Sequence, residues 1–500
     1  MYRKFKRKII IITKFTFILI ALIANNQCTE KGDPVTVYAS SQDGDRLNRQ
    51  PDLHFTNSAV SPIPEIIINE DTIFQRIDGF GATFNEAGMI CLNALSAEAR
   101  EKLLESLFSP VSGAGFTLMK SPMGACDFAS AGPWYTYNET PGDTAMNHFS
   151  IARDLAPDGL VTYIKGAMKY GKFEIETCAD FVSDWMYFGL GKDQKHIRPE
   201  YYGALSKYYS KYIQAYAQQG INVNYLNLFN EADNPHYSNV LYKDMGVIIK
   251  NHLASRLKSD GLTTKIQLGE TCTREEGLRK FPSVVADTMV KKQISTFTVH
   301  GYDFDDSKFS STTRLHNLVP EIPIWMTEVC YAGKSLCPKI YPFERKWPVT
   351  HFEDGELWGN MIVNDMKNWV SGWIYWNMIL DQNGGPWLVA VDRGDPEDNF
   401  QHSVVMVNRN TKKVTYTGLY YYLTHFSKFI RPGAHRINTS GGTDKLNFVG
   451  FKNPDGTVIL NIINNGNKEE CNISWKKRMV AVKFKAHSIT TLKWNTDEKQ

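Results

Sequence analysis

Two glutamates, Glu231 and Glu328, each stand where a short strand-like segment gives way to a loop. Residues 221–226 alternate apolar and polar side chains ahead of Glu231, and residues 322–327 form a largely apolar run that ends on Glu328. Two carboxyl groups that face one bond can act as proton donor and nucleophile in glycoside cleavage. One glutamate at a strand end is more often a salt-bridge partner or a helix cap, whereas two in the same setting predict catalysis of this reaction.

Eight strand-like segments alternate with longer helical patterns between residues 76 and 430, which is typical of repeated strand–helix units. Eight such units predict a (β/α)8 TIM barrel, an α/β fold whose active site lies at the C-terminal ends of the strands. Glu231 then ends the fourth strand and Glu328 the seventh, so both carboxyl groups reach the barrel mouth. The predicted strands are 77–83, 115–121, 172–177, 222–230, 265–269, 296–301, 322–328 and 372–377.

The expected distance between the two carboxyl groups predicts how the bond is cleaved. At about 5–5.5 Å apart they would cleave the bond with retention, through a covalent glycosyl-enzyme intermediate. Glu231 is then the acid/base, with a pKa raised by the apolar site and the neighbouring carboxylate. Glu328 is the nucleophile, and Asn230 is placed to bond the sugar 2-hydroxyl. This mechanism needs no cofactor and no metal.

The composition excludes some partners. The chain has 500 residues, 42% hydrophobic and 22% charged, which is ordinary for a globular protein with more than one core. A net charge of +3 indicates neither nucleic acid nor an anionic membrane as a partner. The eight cysteines lack zinc-ligand spacing. Cys330 and Cys337 are close enough to bridge a loop, and the others are expected to be buried thiols.

The N-terminus is basic up to Lys14, and an apolar run of ten residues, 15–24, follows. Ten residues are too few to span a bilayer comfortably. The pattern predicts a signal peptide or lipoprotein leader over residues 1–27 and hence a secreted or exported protein. Cys28 is the candidate lipid anchor, and a retained signal anchor is the alternative.

After residue 431 the helical patterns stop. Short strand-like segments separated by turns follow, at 446–451, 458–464, 471–475, 481–485 and 489–494. Two more, 34–39 and 65–69, precede the barrel. The C-terminal segments predict a small all-β domain.

The motifs, in order and spacing from Asp78 to Arg436, resemble glycoside hydrolase family 30, the glucosylceramidase-like group. Asn230-Glu231 resembles the family's acid/base motif and Thr327-Glu328 its nucleophile motif. The other matching segments are Gly79-Phe-Gly-Ala, Ser121-Pro-Met-Gly-Ala-Cys-Asp127-Phe, Gly372-Trp-Ile-Tyr-Trp376-Asn377 with Asp381 and Gly384-Gly-Pro-Trp, and His425-Phe-Ser-Lys-Phe-Ile.

The resemblance implies a side β-sandwich built from both chain ends, residues 34–75 and 431–497, beside a barrel at 76–430. It implies a carbohydrate or glycolipid substrate, and Asp127 as a sugar contact. Trp376 is placed as a floor for a sugar ring, Tyr302 to orient the nucleophile, and His300 to bond within the site. The predicted substrate-binding residues are Asp127, Asn230, Asp180, Trp185, His300, Tyr302 and Trp376.

Three departures from the family pattern bear on specificity. Ala232 follows Glu231 where the family has Pro, and Gly301 stands where Trp is usual. Asp180 falls about where a sugar-contacting Trp is expected. The catalytic pair is unchanged, so the prediction of a retaining β-glycosidase stands, with glucosylceramide as one candidate substrate.

Several alternatives stay open. An endo-β-1,6-glucanase of the same family is one, and β-xylosidase and β-fucosidase specificities are others. A non-catalytic carbohydrate-binding protein would need neither glutamate. A metal-dependent barrel lyase would need converging ligands, which only Asp303, Asp305 and Asp306 offer. We interpret these three as a solvated acidic loop.

Overall fold

The computed structural model describes residues 34–57, 63–129, 134–189, 196–232, 234, 240–304, 306–330, 352, 354–388 and 399–496. The leader at 1–27, the candidate anchor Cys28 and Cys337 lie outside these residues, so export, lipidation and the loop disulfide stay predictions. Within the described ranges no helix has the length and apolar character to cross a membrane. Cys91, Cys126, Cys178 and Cys471 are buried thiols, as expected.

The described strands are β1 (Pro34–Ser41), β2 (Asn48–His54), β3 (Glu65–Arg76), β4 (Gly79–Ala82), β5 (Leu118–Pro122), β6 (Glu174–Ala179), β7 (Tyr225–Phe229), β8 (Lys265–Thr271), β9 (Ile294–His300), β10 (Ile324–Glu328), β11 (Val370–Tyr375), β12 (Ile379–Asp381), β13 (Val405–Val407), β14 (Val414–Tyr416), β15 (His435–Gly441), β16 (Leu446–Lys452), β17 (Thr457–Asn464), β18 (Glu469–Trp475), β19 (Arg478–Phe484) and β20 (Ser488–Asn495).

The described helices are α1 (Glu86–Asn93), α2 (Ala97–Phe108), α3 (Leu160–Met168), α4 (Tyr202–Gln218), α5 (Tyr242–Ile248), α6 (Ala254–Ser259), α7 (Arg274–Val285), α8 (Thr288–Lys291), α9 (Ser310–Leu318), α10 (Asp354–Lys367) and α11 (Gly418–Ser427). A π-helical turn, Ile249–Leu253, joins α5 to α6.

Strands β4 to β11 form the predicted eight-stranded parallel barrel. They pair in the order β4-β11-β10-β9-β8-β7-β6-β5, and a parallel bridge between Thr83 and Lys120 joins β4 to β5 and closes the ring. The barrel strands are almost entirely buried, as expected where helices cover a parallel sheet. All eight predicted strands are confirmed, with ends that differ by a few residues.

Both chain ends build a second sheet, which confirms the predicted side domain. Its nine strands run in the order β19-β18-β3-β15-β16-β17-β20-β1-β2. Val37, Ile66, Phe448, Leu460 and Trp494 belong to its apolar core, which is separate from the barrel core. Two of its strands were not predicted. β2 is polar, contains Pro51 and lies at the edge, where proline is tolerated, and β15 lies next to β3.

His425 on α11 ties the barrel to the side sheet. Its Nε2 lies 2.9 Å from Ser40 Oγ on β1, and its Nδ1 lies 2.7 Å from Thr491 Oγ1 on β20. The Thr491 hydroxyl donates to Asn461 Oδ1, so its oxygen is left to accept from Nδ1–H. Burial lowers the pKa of His425 from 6.5 to about 3, so the ring is neutral in the folded protein.

We expect this contact to make the fold acid-sensitive. His425 takes up a proton below pH 6.5 when unfolded but only near pH 3 when folded, so its stabilising effect is complete above pH 6.5 and is lost as the pH falls toward 3. His425→Gln should destabilise by about 1–3 kcal/mol at pH 7, and the deficit should shrink at acid pH. Urea unfolding from pH 7 to 4 measures this. His148→Gln, at a side chain 66% exposed, is the control, and a pH-independent deficit would contradict the assignment.

A buried ion triad holds the loop after β9. Arg274 at the start of α7 donates Nε–H to Asp365 Oδ1 at 2.7 Å and Nη2–H to Asp365 Oδ2 at 2.8 Å. Its Nη1–H donates to Asp303 Oδ1, and its backbone N–H to Asp303 Oδ2 at 3.0 Å. The interpretation of a solvated acidic loop is therefore wrong for Asp303, whose side chain is only 8% exposed. Asp305 and the side chain of Asp306 lie outside the described part of the chain.

Arg274→Met should cost about 3–5 kcal/mol of the free energy of unfolding, because it leaves two buried carboxylates without their cation. Chemical denaturation at pH 7 measures the loss. Arg256→Met removes the partly exposed pair with Asp260 and is the matched control, with an expected cost of about 0–1 kcal/mol. Equal losses in the two variants would show that the buried triad stabilises the fold no more than the partly exposed pair does.

Candidate active site

The two predicted catalytic glutamates meet at the barrel mouth. Glu328 is the last residue of β10, and Glu231 follows β7 by two residues. One oxygen of each carboxylate lies within 4.8 Å of the other. Glu231 has a φ of +40°, a left-handed conformation that is strained for a residue with a side chain. The surrounding contacts must therefore hold it there, as is common at functional sites.

His300, the last residue of β9, lies between the carboxylates. Its Nδ1 is 2.9 Å from Glu231 Oε1 and 3.6 Å from Glu328 Oε1, and its Nε2 is 3.0 Å from Glu270 Oε2. Burial opposes the charged ring, but Glu328 and the other two carboxylates outweigh it and raise the pKa of His300 to about 10. The ring is therefore an imidazolium at neutral pH, and both of its N–H groups donate.

Glu231 differs electrostatically from what its sequence context predicts. Burial raises its pKa, but the hydrogen bond and positive charge of His300 outweigh burial and hold the pKa below the usual value. Asn234 also donates Nδ2–H to Glu231 Oε2 at 2.9 Å. The prediction of a raised pKa is therefore wrong, because the sequence does not show that the His300 ring contacts this carboxylate.

Glu328 accepts hydrogen bonds from the buried Lys120 and the partly buried Tyr302. Lys120 Nζ lies 3.0 Å from Oε2, and the Tyr302 hydroxyl donates to Oε1 at 3.1 Å. A carboxylate that accepts from an ammonium and a hydroxyl, one at each oxygen, is fixed in direction. The placement of Tyr302 agrees with its predicted role of orienting the nucleophile.

Lys120 and Glu270 are two site residues that the sequence patterns did not predict. Lys120 Nζ makes an ion pair with Glu270 Oε2, and both side chains are buried. Glu270 lies near the end of β8, in the same setting that singled out Glu231 and Glu328, so the signal was present in the sequence. Lys120 is a lysine inside the buried strand β5, which is a further signal, since an unpaired lysine is almost never fully buried.

Three of the other predicted residues surround this cluster. Asn230 Oδ1 lies 3.4 Å from Lys120 Nζ. Trp376 directly follows β11, is 6% exposed, and has its ring centre 5.9 Å from Lys120 Nζ. Asp127, after β5, accepts from Asn399 Nδ2 at 2.9 Å and from Gln401 Nε2 at 3.5 Å.

A chain of contacts through Gln401 links Asp127 to Glu328. Cys330 Sγ lies 3.4 Å from Gln401 Oε1 and 3.5 Å from the Tyr302 hydroxyl, which in turn bonds Glu328. Neither Gln401 nor Asn399 was predicted, because neither stands in a strand-end pattern in the sequence.

Asp180 and Trp185 lie in the segment after β6. Asp180 directly follows that strand and is buried, so it lies at the same end of the barrel as Glu231. Trp185 donates its indole N–H to the Asn138 carbonyl at 3.1 Å and packs edge-on against Tyr201. The indole N–H of Trp185 is therefore already hydrogen-bonded within the protein. Sugar binding by Asp180 and by Trp185 stays a prediction.

Close packing around position 301 favours glycine there. A Cβ there would lie 3.1 Å from Val329 Cβ and 3.3 Å from Arg274 Nη2. The Arg274 guanidinium therefore lies next to this position, and any Cβ added there would require Val329 or Arg274 to shift. Glycine in place of the family's usual Trp at position 301 is thus linked to the packing of Arg274.

Glu231, His300 and Glu328 also offer ligand atoms within 4.8 Å of one another, which would suit a metal ion. A histidine binds metal as the neutral ring, however, and here both nitrogens of His300 lie at carboxylate oxygens as donors. The arrangement fits a shared proton better than a metal ion.

Comparisons with known proteins agree with this geometry. Residues 77–430 match the profile of the glycosyl hydrolase family 30 TIM-barrel domain, and residues 433–492 match that of the family 30 beta sandwich domain. The chain is 27% identical over 448 residues to putative glucosylceramidase 4 of Caenorhabditis elegans, covering 86% of this chain and 82% of the relative. It is also 27% identical over 417 residues to an endo-1,6-beta-D-glucanase of Trichoderma harzianum, covering 78% of each chain.

Among solved structures, SrfJ from Salmonella typhimurium superposes with a TM-score of 0.80 at 22% identity, covering 93% of this chain and all of SrfJ. At that identity the likeness concerns the fold alone. The two profile matches together span the barrel and most of the C-terminal strands, and they confirm the resemblance first given by the motifs around Glu231 and Glu328. The chain belongs to glycosyl hydrolase family 30.

Proposed function

We propose that the protein is a retaining β-glycosidase, with Glu231 as acid/base and Glu328 as nucleophile. The observation that carries this proposal is the short separation of the two carboxylates, whose nearest oxygens lie within 4.8 Å. Retaining glycosidases place their carboxyl groups about 5–5.5 Å apart, whereas inverting enzymes need about 6.5–9.5 Å to admit a water. The contacts of the two glutamates support the same division of roles.

In the first step, Glu328 attacks the anomeric carbon and the bond to the leaving oxygen breaks. Lys120 and Tyr302 hold the attacking carboxylate through both of its oxygens. The leaving oxygen takes the proton that Glu231 and His300 share across 2.9 Å. The resulting ester at Glu328 is neutral.

In the second step, a water attacks the anomeric carbon, gives its proton to Glu231, and displaces the Glu328 carboxylate. Loss of the negative charge on Glu328 in the intermediate favours the ionised form of Glu231, which is the form that a general base requires. Water therefore completes a double displacement in which each step returns the proton that the other uses.

For the substrate we propose a β-linked glucoside of the kind that glucosylceramidases hydrolyse. The curated relative with that name and the endo-1,6-beta-D-glucanase are equally identical to this chain, at 27%. The endo-β-1,6-glucanase is therefore the second candidate. A non-catalytic binding protein is disfavoured because sugar binding alone would not require two carboxylates held this close, with a histidine between them and a lysine paired with Glu328.

Purified protein should hydrolyse one or more members of a panel of β-glycosides. The panel holds aryl β-glucoside, β-xyloside and β-fucoside, a fluorescent glucosylceramide and a β-1,6-linked glucan. Glu328→Gln should abolish turnover, and Glu231→Gln should lower it by about 10²–10⁴-fold with unactivated leaving groups. Monosaccharide release would identify an exo-acting enzyme, and oligomers from the glucan the endo-enzyme.

The stereochemistry separates the retaining mechanism from the inverting one. Proton NMR of the first product should show the β-anomer before mutarotation. An initial α-anomer would exclude Glu328 as a nucleophile, and full activity of Glu328→Gln would exclude the whole assignment.

We also expect a pH signature of the shared proton. The Glu231–His300 pair loses its proton as the pH rises toward the pKa of His300, about 10, so kcat/KM of the native enzyme should persist above pH 7 and decline toward pH 10. In His300→Gln the proton is held by Glu231 alone, and the alkaline decline should move to lower pH. Profiles of kcat/KM between pH 4 and 11 test this, and identical alkaline limbs in the two proteins would refute it.

A further inference from the structure

Glu270 is a third carboxylate in the site, and neither step of the proposed reaction uses it. Its Oε2 pairs with Lys120 Nζ and lies 3.0 Å from His300 Nε2. These two cations are the ones that contact the catalytic pair, since Lys120 bonds Glu328 and His300 bonds Glu231. Glu270 is thus linked to Glu328 through Lys120 and to Glu231 through His300.

The chain around Glu270 is built to hold this carboxylate in place. Its Oε1 accepts from Thr327 Oγ1 at 2.8 Å and from Asn227 Nδ2 at 3.1 Å, and its backbone N–H donates to Thr298 Oγ1 at 2.9 Å. Glu270 has a left-handed φ of +57°. Such a conformation is strained for a residue with a side chain and persists only where its surroundings enforce it.

The preceding residue shows how tight this environment is. A Cβ on Gly269 would lie 1.9 Å from Thr298 Oγ1 and 2.2 Å from the Thr298 carbonyl oxygen. Only glycine allows β8 to approach β9 closely enough for the Glu270 backbone to reach that hydroxyl. The strained backbone, the close approach of the two strands and four nitrogen or hydroxyl donors together fix the position of the Glu270 carboxylate.

We propose that Glu270 is a positioning residue for the glycosidase reaction. It anchors Lys120 and His300, so that each of them presents a donor to one catalytic glutamate. Its charge also keeps the shared proton on the Glu231–His300 pair. The inference rests on the proposed function, because it assigns a role within that reaction. Without Glu270, the Nε2–H of His300 would lose its acceptor and Lys120 would lose one of its two carboxylates.

The charge of Glu270 acts among several neighbours. The titratable groups that face it are Lys120 on β5, Glu176 and Cys178 on β6, Glu231 after β7, His300 on β9 and Glu328 on β10. Burial raises the pKa of Glu176 well above its usual value and that of Cys178 likewise, so both are neutral near pH 7. Glu270 therefore carries the negative charge that, besides those of the two catalytic glutamates, balances Lys120 and His300.

The test uses charge-changing variants that keep side-chain shape. Glu270→Gln removes a negative charge next to His300, so the alkaline limb of kcat/KM should move to lower pH by about one unit or more. Lys120→Met removes a positive charge and should move the same limb to higher pH. Glu176→Gln is the matched control, because replacing a neutral buried carboxyl by an amide changes no charge, and its limb should coincide with that of the native enzyme.

A second readout does not depend on turnover. The ¹⁵N resonances of the His300 ring, assigned by their absence in His300→Gln, report its protonation directly, and the ring should titrate at lower pH in Glu270→Gln than in the native protein. A uniform loss of kcat/KM with an unmoved limb and an unmoved His300 titration would overturn the inference. Native protein that hydrolyses no glycoside would instead refute the proposed function, and the ring titration would still decide whether Glu270 controls the proton.

Discussion

Charge compensation at the barrel mouth is the condition on which the rest of the site depends. Carboxylates buried this deeply are stable only when each has partners, and every oxygen of Glu270 and Glu328 accepts from Lys120, His300 or a neutral donor. Lys120 lies on β5 and His300 on β9, so compensation is complete only when strands from distant parts of the barrel have come together. Closing the barrel and assembling the site are therefore one event.

The same rule operates beside the site, in the triad of Arg274, Asp303 and Asp365. There the buried cation supports the loop that carries Tyr302, and it occupies the space next to Gly301. The packing around Gly301 is thus linked to a buried ion network and not to that one residue alone. This explains why Gly301 cannot be interpreted separately from Arg274.

Sequence patterns placed Glu231 and Glu328 at strand ends of the barrel and predicted the eight barrel strands, because strand periodicity and strand-end carboxylates are local signals. They failed where a property depends on a contact between distant segments. The pKa direction of Glu231 was wrong because His300 is 69 residues away, and Asp303 was misassigned because its partner Arg274 is 29 residues away. Glu270 had the right local signal, but its importance becomes visible only with its two cations.

The side sheet joins β1 to β20, so residues near opposite ends of the chain are direct neighbours. The equilibrium cost of closing so long a loop grows only slowly, by about 0.6 kcal/mol for each doubling of length. Timing is affected more strongly. During synthesis β1 has no partner at β20 until residues 488–495 have been made, so the barrel strands can assemble before the side sheet does. A ribosome that stops before β20 leaves unpaired the edge of β1 that faces β20.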